Sequence, residues 1–199
     1  ESSILFYRDQ GFELLNENLQ KELTDFLFER LKYYMKEKEI RNDIIEASIN
    51  SNNLNNMNRL FKKGLTLNNI IKKQIGEDIV SSYKRAYNII ESELKNEDIE
   101  LSNKTDPGIF KNDYEVNLLN KINELKKYFT GLDNDENYLE SLSNLAAAKE
   151  VINNFFDNIK VNVEDKNIKK NRLELLQMLC RTFDNYINFS NIEAKKWIN

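Results

Sequence analysis

The chain has 199 residues, of which 40% are hydrophobic and 31% are charged, and its formal net charge is −4. This length suits one large helical domain or two small ones, and the acidic balance excludes a histone-like polycation. Because the sequence contains no histidine and one cysteine, it excludes histidine catalysis, histidine metal sites and an intrachain disulfide.

Further classes are disfavoured by what the chain lacks. Five glycines and one proline argue against a glycine-rich phosphate loop and a turn-dense β-sandwich. No apolar run approaches the roughly 20 residues that a membrane-spanning helix needs. The chain begins at Glu1 and not at an initiator Met, and no signal peptide follows, so we expect either a processed chain or, in preference, a fragment of a longer protein, from the reducing cytoplasm.

The first half of the chain has a helical hydrophobic period. Apolar residues return at three- and four-residue steps over 14–34, which predicts one long amphipathic helix. The polar run 50–53 is expected to interrupt the helical pattern, Gly64 to end a helix as a C-cap, and Thr66 to begin another as an N-cap. The further predicted helices cover about 41–49, 54–64, 66–71 and 77–94.

A polar segment over 95–110 separates the two halves. It contains Pro107, which lacks a backbone donor and disfavours helix at the preceding residue. We interpret it as a loop between helices, so the chain forms two helical subdomains, 1–102 and 103–199, or one continuous domain. Further helices are predicted over about 113–129, 137–155 and 166–187, with a turn at 131–135 and a short tail that contains Trp197.

Carboxylates are abundant, but their arrangement favours structural roles. Glu97–Asp98 and Glu164–Asp165 suit a loop or a helix N-terminus, with Asp165 as a predicted N-cap, because no catalytic partner accompanies either pair. The acidic run 133–136 lacks the ligand spacing of a calcium loop and is interpreted as a polar turn. Cys180, near the apolar side of the last helix, is expected to be an inert buried thiol. We predict no catalytic residue and no metal ligand.

Basic, aromatic and amide side chains mix on two helices, as they do on surfaces that bind single-stranded RNA. Lys84 and Asn88 are one turn apart, with Tyr83 and Tyr87 on the adjoining flank. A solvated lysine-rich helix face is the alternative interpretation. A second group surrounds the start of the last helix and comprises Lys160, Lys166, Lys169, Lys170 and Arg172 with the interleaved amides Asn158, Asn162, Asn167 and Asn171.

The segment 153–176 closely resembles the C-terminal region of bacterial glycyl-tRNA synthetase beta subunits. In that family a phenylalanine pair precedes Asp-Asn-Val, an apolar-rich link, Glu-Asp and an Asn-Arg-Leu helix. The present chain has Phe-Phe-Asp-Asn over 155–158 and Asn-Arg-Leu over 171–173. It departs from the family at Lys160 and Asn162, where apolar residues are usual. Weaker similarities follow in order over nearly the whole chain, at 28–34, 43–47, 83–89 and 189–192.

The resemblance implies an all-α fold, a helical bundle of the anticodon-binding type shared with the class I arginyl-tRNA synthetases. It implies a chain that binds the anticodon arm of glycine tRNA. A partner alpha subunit, in an alpha2–beta2 assembly, would carry the active site for glycine, ATP and Mg²⁺, so the chain itself would hold no active site and no cofactor. The residues that we expect to contact RNA are Lys84, Arg85, Asn88, Lys160, Asn171 and Arg172.

Several alternatives stay open at this point. Arg172 could instead form an ion pair with Glu164 or Asp165. One of the adjacent Phe155 and Phe156 is expected to be exposed, since two neighbouring positions on a helix end rarely face one core. The chain could also be a protein assembly module, marked by an apolar surface patch, or a metal-dependent hydrolase, which would need convergent carboxylates.

Overall fold

The computed structural model describes residues 9–11, 18–50, 56–97, 99–102, 104–131 and 137–193. These residues are mainly helical and contain no strand, which confirms the all-α prediction. The helices are α1 (Leu19–Glu37), α2 (Asn42–Ile49), α3 (Met57–Ile70), α4 (Gln74–Asn96), α5 (Asp113–Thr130), α6 (Tyr138–Ala146), α7 (Lys149–Asn158) and α8 (Lys166–Phe183), with short 3-10 turns at Pro107–Ile109 and Phe189–Asn191.

Some predictions fall outside the described residues. They are the start of the first helix at Leu14 and Leu15, the helix-breaking run at 51–53, Leu54, Asp98, the acidic turn at 132–136 and Trp197.

Helices from both halves of the chain share one hydrophobic core. α4 packs on α6, α7 and α8, and α3 packs on α6. Tyr83 of α4, Phe155 of α7 and Phe183 of α8 are almost completely buried in a single cluster of apolar side chains. The described helices on the two sides of residue 102 bury their apolar faces together. The alternative division of the chain into two subdomains at this point stays a prediction.

Gly64 lies within α3 rather than at its end, so the predicted C-cap is wrong. A Cβ at this position would lie 2.7 Å from Met35 Cε and 2.8 Å from Ser48 Oγ. The missing side chain therefore lets α3 approach α1 and α2 closely. Thr66 does not begin a new helix, because its hydroxyl donates to the Lys62 carbonyl at 2.8 Å within α3.

The helix predicted over 137–155 consists of two helices, α6 and α7, which meet at a turn through Ala147 and the fully buried Ala148. The turn lets both Leu145 and Ile152 reach the core. The prediction of one continuous helix over 137–155 missed this break.

The ends of α8 are set by two aspartates. Asp165 is the predicted N-cap, and its Oδ1 accepts from the backbone N–H groups of Asn167 at 2.9 Å and Ile168 at 3.2 Å. At the other end, Asp184 Oδ1 accepts from the backbone N–H of Phe189 at 2.9 Å. This bond turns the chain back, so the helix ends at Phe183 and not at the predicted residue 187.

Candidate nucleic-acid interface

Arg85 is held on an aromatic ring at the protein surface. Its guanidinium carbon lies 4.5 Å from the centre of the Phe156 ring, and Nη2 is 3.3 Å from Asp157 Oδ1. Its side chain is 43% exposed, so most of its five donors stay available to a ligand. α4 and α7 together therefore present a fixed, planar cation to solvent.

The adjacent phenylalanines divide their roles as the sequence suggested. Phe155 is fully buried, whereas Phe156 is partly exposed. The two rings meet edge to face at 5.3 Å, which holds Phe156 in place beneath Arg85. The sequence did not reveal which of the two faces the core, because that depends on how α7 lies against α4.

The two other predicted residues of α4 point in different directions. Asn88 is exposed one turn beyond Arg85. Lys84 turns inward, where its Nζ donates to the Ser190 carbonyl at 2.8 Å and lies 5.4 Å from the centre of the Tyr87 ring. Burial lowers the pKa of Lys84. A contact between Lys84 and RNA would first require this internal hydrogen bond to break.

Asn171 is buried and anchors the loop that precedes α5. Its Oδ1 accepts from the backbone N–H of Asp106 at 2.6 Å and from the Thr105 hydroxyl at 2.9 Å. Its Nδ2 donates to the Asp106 carbonyl at 3.0 Å. The amide already serves the protein on both sides, so RNA contact by Asn171 stays an untested prediction that this geometry does not favour.

Arg172 is also buried, and its ion-pair partner is Glu115 of α5 rather than the predicted Glu164 or Asp165. Nε donates to Glu115 Oε1 at 2.8 Å, and Nη1 donates to the Lys160 carbonyl at 2.9 Å. Both Glu115 and Arg172 lie within the bundle. A carboxylate about two turns earlier, at the start of α8, was the local choice, but packing of α8 against α5 supplies a better-placed one.

Three of the six predicted residues therefore face solvent, namely Arg85, Asn88 and Lys160. Arg85 contacts Asp157, and Lys160 follows Asp157 by three residues. The two basic side chains thus flank the C-terminal end of α7. Arg85, Asn88 and Lys160, together with Phe156, are called the α7 surface below.

Lys169, which sequence reasoning placed in a basic cluster, is almost fully buried. Its ammonium group lies 2.6 Å from Glu93 Oε2 and 2.8 Å from Glu97 Oε1, both on or next to α4. The hydrogen bonds that Lys169 donates to these carboxylates raise the pKa of its ammonium group, and the bond to Glu97 lowers the pKa of Glu97. The sequence does contain one indication that Lys169 is buried, because Lys169 shares a helix face with Leu173 and Leu176.

Asp184 is a partly buried carboxylate that links the end of α8 to α4. Its Oδ2 accepts from the Tyr83 hydroxyl at 3.2 Å. Burial raises the pKa of Asp184 to about 6, although the Phe189 N–H, the Tyr83 hydroxyl and the Lys84 charge all lower it. The folded protein therefore holds a proton on this group more tightly than the unfolded chain does.

The raised pKa of Asp184 predicts a pH dependence of stability. The folded form binds more protons than the unfolded form between the ordinary pKa of 3.8 and about 6, so the charged carboxylate costs stability above pH 6 and this cost disappears on acidification. Between pH 7 and pH 5, wild type should gain about 1 kcal/mol in free energy of unfolding relative to Asp184→Asn. Urea denaturation of both proteins at the two pH values measures this difference. A constant difference would show that Asp184 titrates normally in the folded protein.

Neither a metal site nor a membrane-spanning helix is found within the described parts of the chain. There, no three aspartate, glutamate or cysteine side chains gather as metal ligands would. None of the helices found there combines the length and the apolar character needed to cross a membrane. Cys180 is buried as predicted, and burial raises the pKa of its thiol, which disfavours the reactive thiolate.

Comparison with known proteins identifies one family model, described as the DALR anticodon binding domain, which matches residues 79–197. Among curated relatives, the glycine–tRNA ligase beta subunit of Persephonella marina is 30% identical over 179 residues, which cover 90% of this chain and 24% of that protein. The same subunit of Rickettsia conorii is 32% identical over 96% of this chain and 26% of the relative. That of Clostridioides difficile is 28% identical over 95% and 26%. The chain spans about a quarter of the length of these relatives.

Proposed function

The chain belongs to the family of DALR anticodon binding domains, and from this membership we propose that it binds the anticodon arm of glycine tRNA as part of a glycine–tRNA ligase beta subunit. The beta-subunit relatives cover nearly all of the chain, which supports this choice among anticodon-binding proteins. The single observation that carries the proposal is the α7 surface, which lies within the matched range and presents Arg85, Asn88 and Lys160 to solvent.

The chemistry of the α7 surface suits a folded RNA. Lys160 supplies a mobile charge for phosphate, whereas Arg85 offers a planar cation that can stack on a base or grip a phosphate with two donors. Asn88 can both donate to and accept from a base edge. The net charge of −4 means that such contacts depend on this local arrangement rather than on an overall positive field.

The contribution of the chain to aminoacylation is proposed to be positional. Binding energy at the anticodon would hold the acceptor end of the tRNA in an active site on a separate alpha subunit, in an alpha2–beta2 assembly. ATP and Mg²⁺ would act at that subunit. On this proposal the chain carries no active site of its own, and a cytoplasmic location remains a prediction.

One observation favours the alternative of an assembly module without RNA contact. The N-terminal half of α1 exposes several large apolar side chains close together in the sequence. Among them, Leu23 is 54% exposed and Phe26 is 57% exposed. Apolar patches of this kind are typical of protein contact surfaces. α1 lies outside the range matched by the family model, so this surface and the α7 surface can serve different partners.

Glycine tRNA binding tests the proposal. The double variant Arg85→Gln/Lys160→Gln should bind a glycine tRNA transcript about 10-fold more weakly than the wild-type chain at moderate salt, because it removes two cations from the RNA-binding surface. The slope of log K against log salt concentration should fall by about 1 for each phosphate that no longer meets a cation. Filter binding or fluorescence anisotropy over a salt series measures both quantities.

Lys36→Gln on α1 is the matched control, because it removes an exposed lysine far from α7 in the chain, and it should leave affinity and slope unchanged. If the double variant folds normally and binds as wild type does, the α7 surface does not bind the RNA. If the wild-type chain itself does not bind glycine tRNA, the proposed function is wrong and the assembly module is favoured.

A further inference from the structure

A groove of about 300 Å³ lies between α5 and α7, and none of the six predicted RNA-contact residues lines it. Its α5 wall carries Tyr114, Asn117 and Asn120, and its α7 wall carries Val151 and Asn154. This volume is at the lower end of the range for small-ligand sites, which is roughly 300–1,000 Å³. The groove therefore suits one compact group rather than an extended ligand.

The three asparagine side chains of the groove are exposed, and each lacks a hydrogen-bond partner within the described residues. Every amide offers two donors and an acceptor oxygen, so the walls provide hydrogen-bonding groups of both kinds that the protein itself does not use. A ligand with donors and acceptors along one edge would match them.

The charges in the groove cancel. Lys121 is held by Glu124, with 2.8 Å between Nζ and Oε1, and its side chain is only 15% exposed. A free anion such as phosphate would meet a lysine that is already neutralised. Val151 instead supplies an apolar surface, and Tyr114, which is 38% exposed, supplies an aromatic ring. Together these features favour a neutral, flat and polar-edged group.

We propose that this groove binds one unpaired nucleobase of the tRNA loop, an inference that rests on the proposed function. A nucleobase is flat and carries donors and acceptors on its edge, and it is accessible in a loop, where bases can be splayed out of the stack. Asn154, which lines the groove, lies one helical turn before Asp157, which contacts Arg85. The groove therefore adjoins the α7 surface. An RNA loop whose phosphate backbone contacts Arg85 can place a neighbouring base in the groove.

The test combines a groove variant with modified RNA. Asn117→Ala/Asn154→Ala should weaken binding of intact glycine tRNA about 10-fold, in the range expected when one base is no longer read. The probes are glycine tRNAs in which each loop nucleotide in turn is replaced by an abasic residue. Wild type should bind one of these abasic tRNAs about 10-fold more weakly than it binds intact tRNA. The groove variant should bind that abasic tRNA no more weakly than it binds intact tRNA.

Asn123→Ala is the matched control, since Asn123 is exposed on α5 but does not line the groove, and it should bind every tRNA as wild type does. Circular dichroism of each variant verifies that the helices are retained. On the abasic tRNA for which the groove substitutions have no further effect, Arg85→Gln should still weaken binding, because Arg85 binds a different part of the RNA.

The proposal is overturned if the groove variant binds intact tRNA as tightly as wild type, or if its defect is the same on every abasic tRNA. In both cases binding by wild type leaves the proposed function standing. Failure of the wild-type chain to bind any glycine tRNA overturns the groove proposal and the proposed function together.

Discussion

Replacing Arg172 by methionine should lower the free energy of unfolding by about 3 to 5 kcal/mol, which is the usual cost of breaking a buried ion pair by removing one partner. Arg172 and Glu115 are 8% and 1% exposed in their side chains, so the change leaves a carboxylate inside the bundle without its cation. It also removes the hydrogen bond from Arg172 to the Lys160 carbonyl. Urea denaturation followed by circular dichroism measures the effect.

A second substitution separates burial of the charge from removal of the ion pair. Arg172→Met/Glu115→Leu should recover more than half of the lost stability, because apolar replacement of both partners removes the uncompensated charge. Lys95→Gln is the control for an exposed pair, since Lys95 is 76% exposed beside Glu91, and it should change stability by less than about 1 kcal/mol. If Arg172→Met is as stable as wild type, the guanidinium has no structural role, and its assignment to RNA regains support.

Phe155→Ala and Phe156→Ala form a matched pair whose expected losses of stability differ in size. Phe155 is completely buried, so its truncation leaves a cavity between α4, α7 and the rest of the core and should cost about 3 to 5 kcal/mol. Phe156 is partly exposed, and its truncation should cost about 1 kcal/mol. Thermal and urea denaturation of the two variants provide the comparison.

The same pair links packing to function. Phe156→Ala removes the ring beneath Arg85 and with it a cation–π interaction worth about 0.5 to 1 kcal/mol at exposed sites. Glycine tRNA binding should therefore weaken several-fold while the fold is kept. Equal loss of stability in both variants would show that both rings belong to the core. Unchanged tRNA binding by Phe156→Ala would show that Arg85 does not depend on its aromatic support.

Much of the fold was accessible from the sequence because helix formation is recorded locally. Apolar residues three and four positions apart mark one face of a helix, and this pattern predicted α2, α4 and α5 within a few residues of their observed ends. It failed at Gly64 and at Ala147–Ala148. A glycine or alanine permits both a helix break and a close approach, and the neighbouring helices decide between them.

The α7 surface was predicted in part. The residue types at Arg85, Asn88 and Lys160 matched an RNA-binding surface, and the resemblance to beta subunits pointed to the same segment. The support of Arg85 by Phe156 and Asp157 was missed, because those residues lie more than 70 positions later in the chain. The groove between α5 and α7 was missed for the same reason, since asparagines are common throughout this sequence and their grouping is a property of helix packing.

By itself, the sequence determined that the chain is helical, that it lacks the histidines and paired cysteines of many catalytic and metal sites, and that it belongs with anticodon-binding domains. Only the tertiary structure decided which polar side chains turn inward. Arg172 meets Glu115 across 57 positions, and Lys169 meets Glu97 across 72. A cation on the apolar face of a helix can be buried when a carboxylate faces it from another helix. The sequence of one helix records that the cation lies on that face, but the position of its partner is set by the packing of the whole bundle.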